Sequence, residues 1–133
     1  MDGSPYPAAF ITYGWCRSCY AAIRSLSNNG IRVHVGDASG LAMGRFSRHT
    51  ISFSRLPDFF RSPNDYVTAV VAAMGKTGAR VLLPSHEDVG LFCKQLHRLP
   101  KWVLCALPDP DAYDLVNDKR RVVEYAEGLG IDS

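Results

Sequence analysis

The stretch Ala8-Ala9-Phe10-Ile11-Thr12-Tyr13-Gly14-Trp15-Cys16-Arg17-Ser18-Cys19-Tyr20-Ala21-Ala22-Ile23 decides the fold. Its first six residues are a short run of strand formers between Pro7 and Gly14, which predicts a strand buried on both sides. Cys19, Ala22, Ile23 and Leu26 then recur at helical spacing, and Asn28-Asn29-Gly30 supplies a stop for that helix. Ile31 to Val35 predicts a second strand, closed by Gly36-Asp37. Strand, helix and strand in succession make a βαβ unit, which brings the two strands together in parallel.

The same alternation continues toward the C-terminus. A loop from Ala38 to Arg48, loosened by Gly40 and Gly44, leads to a short third strand at Thr50 to Phe53. Ser62-Pro63-Asn64-Asp65 predicts a helix start, with Ser62 as the cap, Pro63 in the first turn and Asp65 as the capping-box acid. Val67, Val70, Val71 and Met74 give that helix one apolar face, and Gly75 to Gly78 end it. Arg80 to Leu83 predicts another strand, closed by Pro84. Ser85 is expected to cap a third helix, with Asp88 three residues on and Val89, Phe92, Cys93 and Leu96 as its buried stripe. Trp102 to Ala106 predicts a last strand, and Ala112 to Val116 a short helical turn after Pro108-Asp109-Pro110. Asn117 is expected to cap a final helix with Val122, Val123, Ala126 and Leu129 on one side, ended by Gly128 and Gly130. The whole predicts a single α/β domain over residues 1–133, Rossmann-like, in three α/β/α layers around a mainly parallel sheet of four to five strands. Its functional residues belong in three loops after strands: Gly14 to Arg17, Gly36 to Gly40, and Pro84 to Asp88.

Composition narrows the classes of function. A chain of 133 residues with 47% hydrophobic content is enough for one packed core without staples. No apolar run reaches the roughly 18 residues of a membrane span, so no membrane partner is expected. Met1-Asp2-Gly3-Ser4-Pro5 lacks the basic and apolar regions of a signal peptide, which points to a cytoplasmic protein. Fifteen Lys and Arg against thirteen Asp and Glu leave a net charge of +2, and the densest basic cluster, Arg45-Phe46-Ser47-Arg48-His49, is short. That argues against a nucleic-acid partner. The four cysteines are expected to be free thiols in such a compartment.

Four features could carry chemistry. Cys16-Arg17-Ser18-Cys19 opens the first helix, where free N–H groups and the helix dipole favour a thiolate. This is the arrangement of a thioredoxin-like or glutaredoxin-like thiol oxidoreductase, which would use Cys16 and Cys19. Those folds also set a proline, usually cis, opposite the cysteines; only Pro57 and Pro100 precede strands here, and Pro100 comes late. The plainer reading makes Cys16 a loop thiol and Cys19 a core residue. Zinc would need two further ligands, whereas Cys93, Cys105, His34, His49, His86 and His97 are dispersed. Asp37 lies where a dinucleotide fold puts its ribose-binding acid, but of the three glycines such folds need only Gly14 is present, so a turn residue is the simpler reading. Ser85-His86-Glu87-Asp88 lacks the Gly-x-Ser-x-Gly elbow of a hydrolase, leaving helix capping or ligand contact by His86 or Glu87.

Three stretches, taken in order, resemble the domain that precedes the ATP-grasp fold in carboxylate–amine ligases and relatives of the carbamoyl-phosphate synthase large subunit. They are Gly44 to His49, Ala79-Arg80-Val81-Leu82-Leu83-Pro84-Ser85-His86-Glu87-Asp88, and Asn117-Asp118-Lys119-Arg120-Arg121 continuing through Glu124-Tyr125-Ala126-Glu127 to Leu129-Gly130-Ile131. The likeness runs from about Phe10 to Ile131. It departs from the family after the first strand, where Trp15 and two cysteines replace a small or glycine-rich turn. The resemblance implies a parent ligase that joins a small carboxylate or amino acid to a nucleophile through an acyl-phosphate made with ATP and Mg2+. It implies that Lys119 binds ATP phosphates and that Ser85, His86 and Glu87 face the substrate cleft. It further implies that residues 117–133 lead toward a C-terminal ATP-grasp domain, without which this piece is inactive and holds neither ATP nor Mg2+. A homodimer is compatible with such a domain.

Overall fold

The computed structural model describes residues 4–131. Met1 to Gly3, at the head of the segment read for a leader, and Asp132 and Ser133, at the end of the expected 117–133 connection, lie outside them. Strands β1 (Ala9–Ile11), β2 (Val33–Asp37), β3 (Thr50–Arg55) and β4 (Val81–Leu83) form one sheet in the order β3-β2-β1-β4. Every neighbouring pair is parallel, with Phe10 opposite His34 on one side and Leu82 on the other. β1 is central and buried throughout, as its unbroken apolar run requires.

Successive strand residues point to opposite faces, so Phe10 and Ile11 belong to different cores. On one face Ile11, Val33 and Val35 pack against Cys19 and Ile23 of helix α1 (Arg17–Asn28). On the other, Phe10 and Leu82 pack against Tyr66, Val67, Val70 and Met74 of α2 (Pro63–Thr77) and Phe92 of α3 (Asp88–Lys94). Each fully buried side chain of this size is worth about 1.5–3 kcal/mol, so the two faces together fix the three-layer α/β/α arrangement expected from the sequence.

Four local expectations are corrected. The strand predicted at Trp102 to Ala106 shrinks to one parallel bridge between Leu104 and Val81. Leu82 N donates to Leu104 O at 2.8 Å and Leu104 N to Arg80 O at 2.7 Å, but the side chain of Leu104 is exposed and gains no core face to extend the pairing. α3 begins at Asp88, with Glu87 at its N-cap, and its buried stripe stops at Cys93; Leu96 lies exposed in a separate 3-10 turn (Leu96–Arg98). Ser62 occupies the N-cap of α2 without a side-chain capping bond. Asn117 ends helix α4 (Pro110–Asn117), and the cap of α5 (Lys119–Gly128) is Asp118, which accepts from Arg120 N at 3.0 Å and Arg121 N at 3.3 Å. A carboxylate both accepts these bonds and offsets the positive helix end, so it outcompetes the amide before it.

α4 rests on α3 where the ring of Tyr113 lies over Gly90; a Cβ at Gly90 would stand 2.6 Å from Tyr113 Cε1. α5 packs against α4, yet much of its apolar side stays open. Val122, Val123 and Leu129, the apolar side expected from the sequence, are 38%, 40% and 62% exposed.

Candidate functional site

The sheet order reverses at β1: β2 and β3 lie to one side and β4 to the other. At such a switch point the loops leaving the two adjacent strands diverge and open a crevice at their C-terminal ends. Here those loops are 12–16 and 84–87, and they are stitched together. Ser85 Oγ donates to Thr12 O at 2.6 Å and lies 3.2 Å from Cys16 Sγ, while Ser18 Oγ donates to Ser85 O at 3.2 Å. Ser85 therefore links the two loops rather than capping α3, a further correction to the sequence reading.

Beneath this seam sits Asp88, fully buried. Thr12 Oγ1 donates to its Oδ2, Tyr66 OH donates to the same oxygen at 2.8 Å, and His86 N donates to Oδ1 at 3.3 Å. Burial raises its pKa above the ordinary carboxyl value, and the three hydrogen bonds oppose that rise only in part. The acid thus ties β1, α2 and α3 to one point.

The next residue of the β1 loop, Tyr13, adopts φ 57°, a left-handed backbone that side-chain-bearing residues enter rarely. The turn is tight because Gly14 follows: a Cβ there would come 2.8 Å from Val35 Cγ1. The conformation lays the Tyr13 ring on His86, stacked with centroids 4.9 Å apart, and edge-on to Phe59 at 6.2 Å. Burial raises the Tyr13 phenol to about 12, with the carboxylates of Glu87, Asp88, Asp37 and Asp58 adding to the shift.

Asp37, the last residue of β2, accepts from Trp15 N at 3.1 Å through Oδ2 and from Ser39 N at 2.7 Å through Oδ1. It is a turn residue that also anchors the β1 loop. Beside it opens a cleft of about 170 Å³ lined by Tyr13, Trp15, Phe59, Phe60 and Tyr66 together with Asp37, Ala38 and Asp58. The sequence reading missed Asp58, Phe59 and Phe60, which carry no motif; two adjacent phenylalanines in a loop segment were the available signal.

Cys16 and Cys19 are both free thiols. Cys19 is fully buried, and burial, with Cys16 and nearby carboxylates adding, raises its thiol to about 12. It packs as the core residue of the plainer reading and is poorly placed to ionise for disulfide exchange. No cis peptide bond occurs among the described residues, so Pro57 and Pro100 do not supply the partner that a thioredoxin-like site uses.

Of the residues singled out, Ser85 meets Cys16 at the switch point and His86 stacks on Tyr13, while Glu87 takes the N-cap position of α3. Lys119 does not join them. It is exposed in the first turn of α5, and no hydrogen bond or ion pair among the described residues connects it to that cluster. No group of three or more His, Cys, Asp or Glu among the described residues could hold a metal ion. No helix among them is long and apolar enough to cross a membrane.

No family model and no curated protein sequence matches the chain. Solved structures do. The biotin carboxylase domain of a single-chain bacterial carboxylase superposes with a TM-score of 0.61 at 20% identity, covering 95% of this chain and 29% of that one. A single-chain, multi-domain long-chain acyl-CoA carboxylase gives 0.65 at 18% identity over 94% of this chain and 13% of its own. The multifunctional pyruvate carboxylase from Rhizobium etli gives 0.62 at 13% identity over 95% of this chain and 13% of its own. The chain therefore spans less than a third of each of these proteins, and at such identities the likeness is one of fold. That fold is a Rossmann-like arrangement: a four-stranded parallel sheet with helices on both faces.

Proposed function

We propose that this chain is the N-terminal domain of an ATP-grasp-type ligase or carboxylase, in which it forms one wall of the substrate cleft and a seat for the domains that hold ATP. The observation that carries the reading is the superposition of nearly the whole chain on parts of biotin carboxylase proteins. The exposure of Val122, Val123 and Leu129 on α5 agrees with it, since apolar surface of this kind is what a further domain would cover. In this reading the complete protein joins a small carboxylate or amino acid to a nucleophile through an acyl-phosphate, and the switch-point residues Ser85, His86 and Glu87 face that acid. Kinship with the carbamoyl-phosphate synthase large subunit belongs to the same proposal.

No cluster of metal-ligating side chains occurs among the described residues, and Lys119 lies in the exposed first turn of α5. Both ATP and its metal would be held by the domains that complete the protein, with Lys119 reaching phosphate only as a point charge at the boundary. The part played by this chain is positional. Its stitched loops hold the His86 ring against Tyr13, and Glu87 follows at the N-cap of α3.

The test is to assay the longer protein, or the chain combined with an ATP-grasp partner, for ATP hydrolysis that depends on an added acid. His86→Ala should raise the KM for the acid at least about fivefold while leaving the KM for ATP unchanged. An assembled protein that turns over no ATP with any small acid would refute the proposal.

A further inference from the structure

The cleft beside the switch point has walls and charges that the ligase reading does not use. Trp15 and Phe60 are 58% and 69% exposed, yet both border it alongside Tyr13 and Phe59. Phe59 and Phe60 lie with centroids 4.3 Å apart, and Phe59 meets Tyr13 at 6.2 Å, so the rings form one continuous wall. Among the described residues, the charged ones lining the cleft are Asp37 and Asp58, with no lysine or arginine beside them. We propose that this cleft binds a small organic cation carrying an alkylated ammonium group.

Aromatic faces attract a cation that comes within about 6 Å of the ring centroid, and the attraction grows as the site sheds water. Two fixed carboxylates beside such faces add a field of the same preference. Both are pinned by the backbone. Asp37 accepts from Trp15 N and Ser39 N, and Asp58 Oδ1 accepts from Phe60 N at 2.8 Å and Arg61 N at 3.2 Å. Asp37 has both oxygens engaged, and among the described residues lining the cleft Asp58 Oδ2 is the one carboxylate oxygen without a backbone donor, so the pair supplies charge while offering few directed acceptors to an N–H donor. That favours an ammonium whose hydrogens are replaced by methyl groups, which also cover apolar ring surface, over a bare amine that needs directed acceptors. An anion would enter against the carboxylates that help hold the Tyr13 phenol at about 12. The binding site is complete within this chain, so the inference does not depend on the ligase reading.

The probes are tetramethylammonium and choline, titrated into the full chain. Trp102→Phe leaves Trp15 as the sole tryptophan, whose fluorescence should change saturably with either cation. The uncharged carbon analogue of choline, 3,3-dimethylbutanol, should bind at least about tenfold more weakly. Asp58→Asn keeps the oxygen that caps Phe60 and Arg61 but removes the charge, and should weaken binding about fivefold, with a similar loss on raising salt. If Trp102→Phe fails to fold, proton NMR of the aromatic resonances in the unaltered chain gives the same titration. Absence of saturation with both cations, or equal binding of the neutral analogue, would overturn the proposal.

Discussion

The hydroxyl of Tyr66 donates to the buried carboxyl of Asp88 at 2.8 Å, onto the oxygen that also accepts from Thr12. One side chain thereby joins the end of the central strand, the long helix on one face and the start of α3. The same residues bring Tyr13 and His86 into contact, so the geometry of the crevice depends on a hydrogen-bonded core rather than on the loops alone.

Removing that acid should be costly. Asp88→Ala leaves the hydroxyls of Thr12 and Tyr66 buried without an acceptor, and should destabilise the chain by about 2–4 kcal/mol in chemical denaturation. The pH dependence has a definite sign. The pKa of Asp88 is raised in the folded chain above its ordinary value of 3.8, so the folded state holds the proton more tightly than the unfolded one. Its contribution is complete below that ordinary value and is lost as pH rises through the folded value. The stability of the unaltered chain relative to Asp88→Asn should therefore be greatest in acid and shrink toward neutrality. A constant difference from pH 3 to 8 would contradict this account.

The thiols should separate by accessibility. Cys19 has no exposed surface and a thiol raised to about 12, so at pH 8 it is almost wholly protonated as well as shielded. A disulfide reagent added to the native chain should leave Cys19 unmodified until denaturant is present, whereas the half-buried Cys16 should react, and Cys16→Ser should remove that equivalent and leave only slow labelling of half-buried Cys105, whose thiol burial raises to about 11. Rapid native labelling of Cys19, or a Cys16–Cys19 disulfide in the purified protein, would restore the redox reading.

Gly90 tests how α4 is held. Alanine there would place a methyl group 2.6 Å from Tyr113 Cε1, and the ring must move for it to fit. Gly90→Ala should cost about 1–3 kcal/mol despite alanine's better helix propensity. If the clash is the cause, adding Tyr113→Ala should cancel much of the penalty in a double-mutant cycle. Strictly additive effects would mean that the Tyr113 ring is not seated on Gly90.

The sequence is most informative where a feature is local and repeats. The apolar run at Ala8 to Tyr13 and the spacing of Cys19, Ala22, Ile23 and Leu26 foretold β1 and α1, because burial on both faces leaves no polar position in the strand. What stayed hidden depends on distance along the chain. Asp88 reads as an ordinary acid near a helix start, and only the approach of Thr12, 76 residues earlier, and Tyr66, 22 residues earlier, makes it a buried acceptor. Ser85 likewise looks like a cap until β1 and β4 become neighbours and offer it the Thr12 carbonyl. Trp102 to Ala106 has strand composition, but composition does not say whether an edge will extend beyond one bridge. Asp58, Phe59 and Phe60 form a cleft wall only once folding sets them beside Tyr13.

The last prediction concerns α5. A helix whose apolar side is exposed gains little from those side chains in the isolated chain, so Val122→Lys and Leu129→Lys should each shift its stability by no more than about 0.5 kcal/mol. Ile23→Ala, in the fully buried core beneath α1, should cost about 2–5 kcal/mol and serves as the contrast. The same lysine substitutions should act strongly where the surface is covered. In the complete ligase or carboxylase proposed above, they should weaken association with the ATP-grasp domain, read as loss of co-elution or as a lower unfolding temperature of the whole. A cost above about 1 kcal/mol in the isolated chain would mean that α5 already buries this side, and it would remove the helix as support for a missing neighbour.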